Sequence, residues 1–89
     1  MQKHIKLSIL GTQYAVLTDQ DADDVFRAAA QVDDRMRHKQ AKMVPFQEAK
    51  AAIVVALELA TDLQKYQQQL AQYEQKIESL LAMLATAQE

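Results

Sequence analysis

From Leu59 onward, the apolar residues of this 89-residue chain recur at alternating intervals of four and three: Leu59, Leu63, Tyr66, Leu70, Tyr73, Ile77, Leu80, Leu84 and Ala87. That is the a/d pattern of a coiled coil, sustained over about four heptads. Leu63, Leu70, Ile77 and Leu84 take a, and the others take d. The positions between them are mainly Gln, Lys, Glu and Ala, which are strong helix formers. No Gly or Pro interrupts the chain from Phe46 to Glu89. The pattern therefore predicts a single helix roughly 60 Å long at ~1.5 Å per residue. So short a chain cannot wrap such an element, and its distal half is expected to find partner chains.

Parallel dimers favour β-branched residues at a, whereas a is mostly Leu here. Near the end, Leu81 and Met83 fall at e and g and widen the stripe. A wider stripe serves more than two helices, so the expected assembly is a tetramer built as a dimer of dimers. Leu59, Leu63, Tyr66, Leu70, Tyr73, Ile77, Leu80 and Leu84 are its expected contacts. Upstream, Ile53, Val54, Val55 and Leu57 point to several sides, and Ala49, Ala52, Ala56 and Ala60 fill the gaps. A helix apolar nearly all round is buried nearly all round. Residues 1–62 are accordingly read as a compact head and residues 63–89 as a stalk.

The head begins with alternation. Ile5, Leu7 and Ile9 share one face, Lys6 and Ser8 the other; Tyr14 and Val16 then alternate with Gln13 and Ala15. Gly11 lies between the two runs, where a tight reversal needs positive φ. Residues 4–17 are read as a β-hairpin, which is barely stable alone and must lay its apolar face on something. Residues 18–42 are read as a helix with Thr18 as cap and Asp19, Asp21, Asp23 and Asp24 at its positive end. Val25, Ala29, Val32 and Met36 recur at helical spacing, and Asp23 with Arg27 and Asp33 with Arg37 form i,i+4 pairs. Val44-Pro45 ends this helix, with Pro45 tolerated in the first turn of the next. The fold class expected is α+β: an N-terminal β-hairpin packed on two helices, the second a long C-terminal helix forming an oligomeric coiled coil.

Composition excludes several function classes. One Gly and one Pro stand against roughly six and four in an average chain of this length, which argues against sandwiches, barrels and glycine-rich nucleotide-binding folds. Without Cys there is no thiol catalysis, disulfide or thiolate metal site. A net charge of -2 argues against bulk attraction to nucleic acid or anionic lipid. The apolar run Ala51 to Leu57 is far short of the ~20 residues of a membrane span, and Lys6 and Ser8 break the only segment resembling a leader. A soluble cytoplasmic protein is expected. His4 and His38 lack metal-ligand spacing, Ser8 and Ser79 have no partners for nucleophilic chemistry, and the carboxylates fall at caps and outer helix faces. Neither an enzyme nor a cofactor is expected.

One charged feature remains: Arg35, Arg37, His38, Lys39 and Lys42 gather at the end of the first helix. They complement the helix dipole. They also offer a docking patch for an acidic surface, since complementary charge steers association and fixes register.

Three segments together resemble the cell-division protein ZapA family, bacterial proteins associated with the FtsZ ring. These are Leu7-x-Ile9-x-Gly11-x-x-Tyr14-x-Val16, Ala28-Ala29-x-x-Val32-Asp33-Asp34-x-Met36 and Ala56-Leu57-x-Leu59-Ala60-x-x-Leu63. The resemblance covers roughly residues 4–66. It implies a small α+β head, a C-terminal coiled coil, and a dimer that pairs into a tetramer. It also implies binding to FtsZ filaments, which the family cross-links or bundles, and a place at the mid-cell division site. Basic head residues are implicated in that contact, and Arg35, Arg37, Lys39 and Lys42 are the matching positions. Thr12 stands where some members carry a basic residue, and Glu58 where the junction often has Asn. A generic coiled-coil adaptor with a different protein partner is the alternative reading; a nucleic-acid binder using the Arg35–Lys42 stripe is a weaker one.

Overall fold

A computed structural model describes residues 1–87 of the chain. Its elements follow in the order β1 (Lys3–Ile9), β2 (Thr12–Thr18), α1 (Ala22–Lys42) and α2 (Glu48–Ala87). The expected hairpin and two helices are all present. The chain divides into two compact units, Met1–Ala56 and a second beginning at Leu57.

In the first unit, β1 and β2 pair antiparallel, with Ile5 opposite Val16, Leu7 opposite Tyr14 and Ile9 opposite Thr12. Directly opposed residues share a face, so the alternation in sequence becomes one apolar side of the sheet. Lys6, Ser8, Gln13 and Ala15 occupy the other side, together with His4 and Leu17. Helix α1 packs on β1. The core consists of Ile5, Ala29, Met36, Ala51 and Val55, with Ala51 fully buried and Met36 only 3% exposed. Ala29 and Met36 lie on the stripe that the helical spacing of the sequence marks out.

The connection between the strands is the two-residue turn Leu10-Gly11, and both residues have positive φ, 52° and 79°. Two successive positive φ values give the primed turn whose twist matches a right-twisted hairpin. Gly11 takes that conformation without cost. Leu10 does not: an L residue there costs about 1–2 kcal/mol. A tertiary hydrogen bond offsets this, since the Leu10 N–H donates to Asp33 Oδ1 on α1 at 2.8 Å.

Helix α1 begins later than the sequence reading placed it. Thr18 ends β2, and its hydroxyl accepts from the Gln20 N–H at 3.0 Å. The N-cap is Asp21, whose carboxylate accepts from the Asp23 N–H at 2.8 Å. Asp caps as well as Ser and better than Thr, and Thr18 is committed to the strand ladder. Arg27 pairs with Asp24 at 2.6 Å, one residue along from the expected Asp23. At the other end, the Met43 N–H donates to the Lys39 carbonyl at 2.9 Å and the chain turns extended. Pro45 lies in the connection rather than in the first turn of α2. That helix starts at Glu48, with the Ala51 N–H donating to the Gln47 carbonyl at 2.9 Å.

The second unit is the part of α2 from Leu57. From Leu63 to Ala87 every residue is exposed. Leu63, Tyr66, Leu70, Tyr73, Ile77, Leu80 and Leu84 are each at least half exposed. Residues 88 and 89, the end of the expected stalk, lie outside the described residues.

A Cβ added at Gly11 meets no atom within 4 Å, so substitution there carries conformational strain alone. Gly11→Ala is expected to cost about 1–2 kcal/mol. Thermal melts at one fixed protein concentration check this, and Gly11→Asn should cost less because Asn tolerates the left-handed region.

Candidate functional site

The basic residues of α1 do not form a single patch. At 3.6 residues per turn, Arg35, Lys39 and Lys42 fall within about 60° of one another, whereas Arg37 lies about 160° away. Arg35 and Lys39 are half-buried beside the core stripe, and Lys42 is exposed. His38 is exposed too, with Nδ1 2.8 Å from the Asp34 carbonyl oxygen and 3.7 Å from its carboxylate. The four expected docking residues are thus divided between two flanks of the helix, three on one and Arg37 on the other.

Arg37 has a defined setting. Its Nε donates to Asp33 Oδ2 at 2.8 Å, the i,i+4 pair expected from sequence. The other oxygen of the same carboxylate accepts from Leu10. The Arg37 guanidinium, and next the Leu10 N–H, hold the Asp33 carboxyl below its ordinary value of 3.8, although partial burial pushes the other way. Asp33 in turn raises the pKa of Arg37 further above its already high value. Sequence reasoning found the Asp33–Arg37 pair but missed the bond to Leu10. The positive φ at Leu10 had no signal of its own, because leucine rarely adopts it.

A second feature of the first unit is an open groove of about 610 Å³ lined by apolar side chains of all its elements, among them Leu7, Ile9, Val16, Val32 and Met36. Glu48 supplies a polar edge, where its Oε1 accepts from the Tyr14 hydroxyl at 3.4 Å. The groove means that the apolar face of the hairpin is only partly covered. Phe26 on α1 and Ile53 on α2 add further exposed apolar surface.

In the second unit the candidate site is the apolar stripe itself. The residues assigned to a and d stand on one side of a continuous helix, and from Leu63 onward their side chains are exposed together with Leu81 and Met83. Leu59, at the start of the seam, is half-buried. Soluble chains rarely leave contiguous apolar surface open over such a length unless another molecule covers it.

Among the described residues, no group of three or more His, Cys, Asp or Glu side chains is placed to hold a metal ion. No helix among them is long and apolar enough to cross a membrane.

Asp33 couples the first unit to pH. Its carboxyl has a lower pKa folded than unfolded, so its stabilising contribution is complete above the ordinary carboxylate range and is lost as pH falls through the folded value. Asp33→Asn is therefore expected to melt below the wild type near neutral pH, with the gap closing below about pH 4. Melting curves of the two proteins across that range check it.

Among known proteins, a family model described as Cell division protein ZapA matches residues 5–89, nearly the whole chain. No curated protein and no solved structure gives a significant match.

Proposed function

Because the chain belongs to the cell division protein ZapA family, we propose that it is a non-enzymatic protein that self-associates through α2, binds FtsZ and cross-links FtsZ filaments at the mid-cell division site. The family membership carries the cell-division role and the association with FtsZ. The exposed a/d stripe of α2 supports the cross-linking.

Moving a Leu or Ile side chain from exposed to buried is worth about 1.5–3 kcal/mol. The seam offers Leu63, Leu70, Ile77, Leu80 and Leu84 in each copy, with Tyr66 and Tyr73 beside them. That driving force is ample for identical helices to pair. Leu at a, together with apolar Leu81 and Met83 at e and g, favours more than two helices, hence a dimer of dimers. A closed symmetric assembly carries several copies of every head surface. Weak contacts repeated on one particle then act together, with avidity gains of about 10²–10⁴ when the geometry allows simultaneous engagement.

The end of α1 makes the proposed contact with FtsZ. Arg35, Lys39 and Lys42 supply positive charge on one flank and Arg37 on the other. Charges of this kind raise association rates and set orientation more than they add affinity. The contact should therefore weaken as salt rises.

Co-sedimentation with FtsZ polymers tests the function: the protein should pellet with the filaments and bundle them at micromolar concentration. Absence of both, or capture of a different partner with no binding to FtsZ, would refute it. Leu70→Glu combined with Ile77→Glu places two charges per chain in the seam. Sedimentation equilibrium should then report a smaller species, and bundling should be lost. Bundling that persists in a demonstrated smaller species would contradict the cross-linking mechanism.

A further inference from the structure

Asp33 joins two parts of the first unit that are distant in sequence. Its Oδ1 accepts from the Leu10 N–H and its Oδ2 from Arg37 Nε, both at 2.8 Å. The carboxylate is about one-quarter exposed, while the Arg37 side chain beside it is 59% exposed. We infer that Asp33 is a positioning residue, holding the Leu10–Gly11 turn and the Arg37 guanidinium together as one docking corner for a carboxylate of the filament partner. This rests on the proposed binding to FtsZ and deepens it.

The chemistry favours that role. A guanidinium has five N–H donors in a fixed fork. Arg37 gives the Nε donor to Asp33, which leaves the terminal Nη groups to meet a second carboxylate from outside. A long side chain normally loses rotamer freedom when it binds, and one already held by an ion pair loses less. Asp33 partly cancels the charge of Arg37, so the corner contributes placement rather than net attraction. The turn belongs to the same corner because the same carboxylate fixes it, and Gly11 and Thr12 are exposed next to it.

A double-mutant cycle in the full chain tests the inference, with FtsZ co-sedimentation as the readout and melting curves as the control for folding. Asp33→Asn keeps an oxygen to accept from Leu10 but removes the charge that holds Arg37. Arg37→Gln removes the guanidinium. Each single variant is expected to weaken binding on the order of tenfold, and the double variant should be no weaker than Arg37→Gln alone. Wild-type binding by Asp33→Asn, or losses that multiply in the double variant, would overturn the positioning role while leaving the binding to FtsZ intact. A wild-type chain that does not bind would remove the parent reading and this one together. If Asp33→Asn proves too unstable to assay, Arg37→Lys carries the test: it retains the charge without Nε, so a comparable loss supports the corner and unchanged binding refutes it.

Discussion

Apolar surface left open in each of the two units is the constraint on which the rest depends. In the first unit the buried residues are few and mostly small. Ile5, Met36 and Val55 are the larger ones, with Ala29 and Ala51 between them. A core of that size is marginal for a unit that runs only from Met1 to Ala56. The open groove beside Leu7, Val16, Val32 and Met36 is the same shortage seen from outside. In the second unit the shortage is complete, because a lone helix has nothing to bury its stripe against. In the proposed function, self-association would cover both surfaces with one device, before any contact with a partner.

The hairpin shows how a local cost is met by a tertiary bond. A two-residue turn with both φ values positive suits Asn-Gly, and this chain has Leu-Gly. The bond from Leu10 to Asp33 opposes the strain and fixes the hairpin tip to α1. Because Asp33 also holds Arg37, the conformation of the turn and the placement of that cation depend on one carboxylate. Paired and hydrogen-bonded, the carboxylate is favoured as the anion, which lowers its pKa and makes its contribution vanish in acid.

Much of the fold was legible beforehand. Alternation of Ile5, Leu7 and Ile9 with polar residues marked β1, and the four-three spacing from Leu59 marked the stripe of α2; both are short periods that a single sequence displays directly. The edges were less legible. Thr18 looked like a cap, but a strand ladder and the turn after it claimed that residue, leaving the cap to Asp21. Clustering in sequence also misled at the end of α1. Residues 35 to 42 are close along the chain, yet the helical period turns Arg37 to the opposite flank from Arg35, Lys39 and Lys42.

By itself, then, the sequence determined the elements, their order, and the apolar stripe along α2, because apolar periodicity and the absence of Gly and Pro after Pro45 act through neighbours along the chain. Only the tertiary structure decided that the hairpin tip is locked to α1 through Asp33, that Leu10 tolerates a left-handed backbone, and that Arg37 is held at that junction. Those outcomes depend on a hydrogen bond between residues 23 positions apart, and no local pattern encodes a contact that exists only once the strands have been laid against the helix.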